Sequence, residues 1–260
     1  MIELIDSHCH LDFPVLRAQS SVLLAAAESV GVCQVVVPGV LQASWAEQQR
    51  FCRSDGRLFA AFGLHPCFMT QHGSYVAALE QLDELLAQPD TVAVGEIGLD
   101  FFSADADRDA QMALFQAQLR LALRHQLPVL LHVRKAHDQV LALLRRLKLP
   151  AGGVVHAFSG SAQQAQQYIE LGFVLGFGGT VTYERARKVR QLAATLPLTA
   201  MVLETDGPDM PLAQYRDQPN CPQRVYEVAQ EIAQLRDISV EEVAAVTTAT
   251  ARRVLLRCVV

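Results

Sequence analysis

His8 and His10 stand one residue apart in the stretch Asp6-Ser7-His8-Cys9-His10. Residues two apart on extended backbone point the same way, so both imidazoles can face one metal ion while Cys9 turns to the opposite side and packs. Alone, such a pair reads equally well as two core or surface histidines. Four more short apolar runs, however, are followed by groups of the same chemistry: His65 in Gly63-Leu64-His65-Pro66, Glu96 in Gly95-Glu96-Ile97-Gly98, His132, and His156. A fifth ends in Glu204-Thr205-Asp206. Imidazole nitrogens and carboxylates suit Zn²⁺ or Mn²⁺, and Mg²⁺ where oxygen dominates. The candidate ligands are His8, His10, Glu96, His132, His156 and Asp206.

Six ligands exceed what one catalytic ion takes, which is usually three protein groups and an open position. Two divalent cations fit better, with His8, His10 and Asp206 on the first, His132 and His156 on the second, and Glu96 between them. A pair about 3.5–4 Å apart lowers the pKa of a shared water and clamps the attacking and leaving oxygens of a displacement. Asp206 is then the candidate general base. With both ions and a hydroxide the site carries about one net positive charge, counting the histidines as neutral, which is how an acidic protein can hold an anion. Arg134, two residues past His132, can fork onto a phosphate oxygen from the same side, or it is a solvated loop charge. His65, held extended by Pro66, can donate to the phosphate or the leaving oxygen, or it is a structural turn residue. Glu204 shares the side of Asp206 and can orient a ligand or simply bond inside the core. Arg185, Arg187, Lys188 and Arg190 can follow a polyanion leaving the site, or form a solvated face. The other histidines, His72, His125 and His137, fall in a loop, near a helix end and in a helix, and His125 suits a helix C-terminal dipole.

These groups need a scaffold that brings the ends of many strands together. Eight apolar runs read as strands: Leu4-Ile5, Val35-Val37, Leu58-Phe62, Val92-Val94, Val129-Leu131, Val154-Val155, Phe173-Phe177 and Met201-Leu203. Between them the periodicity is helical, as where Met112, Phe115, Leu119, Ala122 and Leu123 share a face. Ser44 to Glu47 and Ser239 to Glu242 have capping-box spacing, Gly31, Gly56 and Gly172 read as helix stops, and Pro222 suits a first helical turn. Eight units in 260 residues give roughly 32 residues each, the size of a repeating βα unit. The expected fold is therefore α/β, a (β/α)8 TIM barrel, in which reactive groups sit at the C-terminal strand ends. An open doubly wound sheet would be marked by GxGxxG after the first strand, and a histidine pair stands there instead. No linker rich in Pro, Gly or Ser divides the chain, so one domain over 1–260 is expected.

The composition sets the remaining bounds. With 51% hydrophobic residues, 27 acidic and 22 basic side chains and a net charge of −5, the chain is neither disordered nor a generic nucleic-acid coat. It has no apolar run long enough for a membrane span, and MIELIDSHCH has no basic region ahead of an apolar stretch, so a cytoplasmic location is expected. Six cysteines at Cys9, Cys33, Cys52, Cys67, Cys221 and Cys258 show no paired spacing and read as reduced thiols.

Taken together, DSHCHLD at 6–12, GLHP at 63–66, VGEIGLD at 94–100, LPVLLHVR at 127–134, VVHAFSG at 154–160, LGFGGTVTY at 175–183 and LETDGPDMP at 203–211 resemble the TatD family of metal-dependent deoxyribonucleases. Within it they look close to the YjjV-like subgroup. The resemblance spans essentially the whole chain. It implies a barrel of the metal-dependent hydrolase, amidohydrolase-like type and hydrolysis of DNA phosphodiesters with divalent cations. It also matches His8, His10, Glu96, His132, His156 and Asp206 to the family's metal ligands by motif position. Departures are Val133 between His132 and Arg134 and the absence of an asparagine in TTATARRVLL; the Pro219-Asn220-Cys221-Pro222 segment resembles the subgroup's version of the loop after the eighth strand, which bears on substrate access.

The function expected is a 3′-end exonuclease on single-stranded DNA, with metal hydroxide as nucleophile, Asp206 and Glu96 at the reacting centre, and His65 and Arg134 on the substrate. A monomer without an obligate protein partner or membrane contact is expected. One alternative is hydrolysis of a small phosphodiester or a cyclic amide or lactone; Glu96 stands where a bridging lysine would have favoured the carbonyl substrate. The other is a metal-loaded scaffold, for which Asp206→Asn would change nothing.

Overall fold

The computed structural model describes residues 2–256. Its first half runs β1 (Leu4–Asp6), α1 (Pro14–Arg17), α2 (Ser20–Ser29), β2 (Val32–Pro38), α3 (Trp45–Arg53), β3 (Leu58–Phe62), α4 (Tyr75–Leu86), β4 (Thr91–Asp100) and α5 (Arg108–His125). The second half runs β5 (Val129–Arg134), α6 (His137–Leu147), β6 (Gly153–Val155), α7 (Ala162–Glu170), β7 (Phe173–Phe177), α8 (Arg187–Thr195), β8 (Met201–Leu203), α9 (Val225–Arg236) and α10 (Val240–Leu255). All eight strands pair in parallel in sequence order, β1 through β8. The seam between β8 and β1 closes through Ser7 N–H donating to Leu203 O at 2.9 Å and Asp206 N–H donating to His8 O at 2.8 Å. This is the expected (β/α)8 TIM barrel.

Period-two alternation sorts the strand residues. Ile5, Val36, Phe59, Ala61, Leu130, Val154, Val174 and Val202 form one buried cluster, which Ala251, Val254, Leu255 and Leu256 at the end of α10 join. Val35, Val37, Phe62, Leu131, Val155, Leu175 and Leu203 belong instead to the cluster shared with the surrounding helices. The first set is the barrel interior, floored by α10. Truncating one of its members, Leu130→Ala for instance, costs about 2–5 kcal/mol through lost burial and the cavity left behind.

Two strands are longer than their apolar runs. β4 continues to Asp100 and β5 to Arg134, so Glu96 and His132 lie within strands, not after them. In β4 the register shifts between Val94 and Ile97. Both of those residues face the helices although they are three apart, so the extra residue of the bulge turns Glu96 inward.

The helix ends differ from expectation in places. Ser44 makes no side-chain cap to α3; its hydroxyl donates to Leu41 O at 2.9 Å. At Ser239 half of the box forms, with the hydroxyl accepting from Glu242 N–H at 3.1 Å. A full capping box forms at Ser161 and Gln164. Gly31 and Gly172 stop α2 and α7 with left-handed φ of 92° and 84°, as a residue without Cβ can. Gly56 is not among the glycines with positive φ, and α3 ends three residues before it, at Arg53. Pro222 opens a 3₁₀ turn (Pro222–Arg224) that leads into α9. The buried face of α5 is Gln111, Leu114, Phe115, Gln118, Leu119, Leu121 and Ala122; Leu123 is exposed. The two glutamines are buried because each spans a strand end, as described below.

No helix among the described residues is long and apolar enough to cross a membrane. Cys9, Cys33, Cys52, Cys67 and Cys221 are free thiols, and Cys258 lies outside the described residues.

Candidate metal centre

The interior columns continue upward two residues at a time: Leu130 leads to His132, Val154 to His156, Val202 to Glu204, and Ala61 past Gly63 to His65. Glu96 stands where they converge. Its Oε2 lies 3.2 Å from His8 Nε2 and 3.4 Å from His10 Nε2. Its Oε1 lies 3.1 Å from His65 Nε2, 3.1 Å from His132 Nδ1 and 3.0 Å from His156 Nε2. Asp206 Oδ1 completes the first cluster at 3.5 Å from His8 and 3.6 Å from His10. All six candidate ligands thus meet at one rim, and the two oxygens of Glu96 divide the histidines into two sets. Donors sharing one ion through bonds of about 2.0–2.2 Å sit roughly 2.9–3.6 Å apart, the range seen here.

Three ring nitrogens crowd within hydrogen-bond distance of Oε1, which has only two lone pairs. Nδ1 of His8, His10 and His156 is buried without a hydrogen-bond partner. Burial drives His8 down to about 3, so it is a neutral imidazole, the form that ligates metal. Burial pushes Glu96 up, but the surrounding histidines outweigh it and hold the carboxyl well below its ordinary range. Burial raises Asp206 to about 6 against the opposing pull of His156 and His10. A buried, ionised carboxylate ringed by imidazoles fits divalent cations of borderline hardness.

Positioning groups surround this set. His132 presents its other nitrogen, Nε2, to Asp100 Oδ2 at 2.9 Å, so its ring is fixed from both sides. Burial lowers the His132 pKa, yet its hydrogen bonds with Asp100, Cys67 and Glu96, the carboxylates accepting, carry it up to about 10. His65 Nδ1 accepts Cys67 N–H at 3.1 Å, and His72 Nε2 reaches His65 O at 2.9 Å. Gln118 clamps Leu64 by accepting its N–H at 2.7 Å and donating to its carbonyl at 3.1 Å. Gln111 does the same for Asp100, at 2.9 and 3.1 Å. Asp6 Oδ2 accepts from Thr205 Oγ1 at 2.6 Å and Oδ1 from Thr205 N at 3.0 Å, across the seam. Glu204 accepts Ala157 N–H and lies 3.6 Å from His156 Nδ1. Gly176 leaves it room, since a Cβ there would stand 2.1 Å from Glu204 Oε2.

A cavity of about 670 Å³ opens over the cluster, lined among others by Phe13, Phe68, Phe158, Arg134 and Asp209. Arg134 is exposed at this rim, its guanidinium 3.7 Å above the Phe102 ring. The basic run on and before α8 is less open than its sequence: Arg190 bonds Val181 O and Glu231 at 2.6 Å each, and Lys188 bonds Ser159 O at 2.8 Å. Cys9 faces away and touches Gly207 O at 3.7 Å. His125 pairs with Asp83 at 2.6 Å, and His137 Nδ1 lies 3.2 Å from Tyr168 OH.

Asp100, Cys67, Gln111 and Gln118 escape a reading of motifs. Asp100 had a signal, since it shares the inward side of β4 with Glu96 and Gly98 and pairs in register with Arg134. The glutamines had none beyond a seven-residue spacing on one helix face.

Comparison with known proteins gives a consistent answer. The family profile described as TatD related DNase matches residues 5–256. A protein of Escherichia coli K12 named uncharacterized metal-dependent hydrolase YjjV is 43% identical over 242 residues, covering 92% of this chain and 93% of that one. An uncharacterized metal-dependent hydrolase of Haemophilus influenzae is 39% identical, covering 89% and 91%. The crystal structure of YjjV superposes with a TM-score of 0.94 at 40% identity over 97% of this chain and 98% of that one. A TatD family hydrolase of Entamoeba histolytica shares the fold at a TM-score of 0.83 and 19% identity, covering 98% of both chains.

Proposed function

This chain belongs to the TatD-related family of metal-dependent hydrolases, and from that premise we propose that it is a phosphodiester hydrolase acting as a deoxyribonuclease on the 3′ end of single-stranded DNA. The observation that carries the proposal is the division of the two Glu96 oxygens between two histidine sets. One carboxylate so placed can join two cations, with His8, His10 and Asp206 on one side and His132 and His156 on the other. Two divalent ions there would supply Lewis acidity and an acidified water.

The chain's own groups do the rest. Asp206, at the rim with its carboxyl raised toward neutrality, accepts the proton of the attacking water at its carboxylate. Arg134 holds a non-bridging phosphate oxygen from the rim. His65, beside Glu96, aligns the leaving side of the phosphate. Asp100 orients His132 through its outer nitrogen, and Glu204 stands 3.6 Å from the outer nitrogen of His156. Among the described residues Arg134 is the one Lys or Arg that lines the cavity, which Asp209 also lines, and this matches one scissile phosphate at a strand end better than a grip on a long duplex. The same observation favours a small phosphodiester as the second reading.

The test is hydrolysis of a 5′-labelled single-stranded oligonucleotide and of a small chromogenic phosphodiester by metal-stripped protein, with Mg²⁺, Mn²⁺ or Zn²⁺ returned. Stepwise shortening from the 3′ end that requires the ion supports the exonuclease. Turnover of the small ester alone moves the assignment to the second reading, and hydrolysis of neither overturns both.

A further inference from the structure

Cys67 sits in the 3₁₀ turn that follows His65, and its side chain is exposed to the cavity. Its Sγ lies 3.3 Å from Asp100 Oδ2, the oxygen that also takes His132 Nε2 at 2.9 Å. Ligand atoms of His65, Cys67 and His132 all lie within 4.8 Å of one another. A sulfur, a carboxylate oxygen and an imidazole nitrogen therefore converge on one point, on the far side of His132 from Glu96.

We propose that Cys67, Asp100 and His132 Nε2 form a further cation site, selective for thiophilic ions, that regulates the dinuclear centre. The separations suit it. With Zn–S of about 2.3 Å and Zn–N or Zn–O of about 2.0–2.2 Å, tetrahedral donors stand roughly 3.3–3.7 Å apart, and both separations from Asp100 Oδ2, 3.3 Å to Cys67 Sγ and 2.9 Å to His132 Nε2, lie within a few tenths of an ångström of that range. Thiolate excludes hard Mg²⁺ and Mn²⁺ and favours Zn²⁺, Cd²⁺ or Co²⁺. On binding, the Cys67 S–H and the His132 Nε2–H bonds break, both protons pass to solvent, and S–metal and N–metal bonds replace them. Nothing is oxidised or reduced. His132 then loses the Nε2–H bond to Asp100 that orients its other nitrogen toward Glu96. Filling this site therefore lowers turnover: excess Zn²⁺ inhibits where excess Mn²⁺ does not.

The inference rests on the dinuclear reading for the role of His132 Nδ1, and one titration separates the two. Co²⁺ is added to metal-stripped protein and to Cys67→Ser, following bound cobalt and the near-ultraviolet thiolate-to-cobalt charge-transfer band. The expected result is a band that grows only after two equivalents are bound, is absent in Cys67→Ser, and leaves the first two equivalents unchanged there. Turnover with Mn²⁺ is then lowered severalfold by added Zn²⁺ in the native chain and not in the variant. Two equivalents bound with no thiolate band at any cobalt level overturns the further site and leaves the dinuclear one. Failure to bind cobalt overturns both.

Discussion

Asp6 holds Thr205 by two hydrogen bonds, Oδ2 to the Thr205 hydroxyl at 2.6 Å and Oδ1 to the Thr205 N–H at 3.0 Å. The pair ties the end of β1 to the end of β8, where the barrel has no extended ladder and where His8 and Asp206 leave the wall. Asp6 Oδ1 also meets His8 N–H at 3.3 Å. Asp6 therefore fixes both halves of the first candidate ligand cluster. Burial raises its carboxyl to about 8 despite these bonds.

Removing this clamp leaves buried donors unpaired, at about 1–3 kcal/mol for the unsatisfied groups. Asp6→Ala and Thr205→Val should each lower the unfolding free energy by that order, and the double variant should lose less than their sum. Urea denaturation of the metal-stripped proteins reads both quantities, and strict additivity would show that the two residues act independently.

Gln118→Ala should slow turnover while leaving metal content unchanged. The side chain satisfies both backbone groups of Leu64, next to His65, so its loss frees the β3 end and not the ligand cluster. A stability loss of about 1–3 kcal/mol is expected. Loss of bound metal without a fall in turnover per occupied site would contradict this role.

Much of this site follows from alternation. Leu130 and His132, Val154 and His156, and Val202 and Glu204 are pairs two apart on strands, so knowing which residues fill the barrel tells which polar groups crown it. Glu96 breaks that rule, because parity from outward-facing Val94 would send it outward. Only the bulge before Ile97 turns it in, and a bulge has no signature in the residue types around it. The clamps by Gln111 and Gln118 are hidden for another reason: hydrophobic periodicity counts a glutamine as surface, whereas each is buried by bonding to a strand end. At Ser44 the capping spacing is present, but the hydroxyl turns back to Leu41, a local competition that spacing does not reveal.

Stability should depend on His137. Burial lowers its pKa from 6.5 to about 4, so between these values the unfolded chain takes up a proton that the folded chain refuses. The native state then gains its full benefit above 6.5 and loses it as pH falls toward 4, by an amount on the order of 2 kcal/mol. The stability difference between native protein and His137→Gln should shrink across this window. A difference equal at pH 4 and at neutral pH would show that His137 titrates alike in both states.

Arg134→Ala should raise KM for an oligonucleotide about ten- to a hundredfold, the worth of a charged hydrogen bond, with a smaller change in kcat. It should also reduce the dependence of log KM on log salt by about 0.7, one phosphate contact on a single strand. An unchanged salt slope would remove Arg134 from the phosphate.

The central claim is that Glu96 joins two cations. Metal-stripped protein loaded with Mn²⁺ and studied by electron paramagnetic resonance, beside the bound-metal count, tests it directly. The account predicts two ions per chain with an exchange-coupled signal that Glu96→Gln abolishes. One ion per chain, or two that give only isolated Mn²⁺ signals in the native protein, would contradict it.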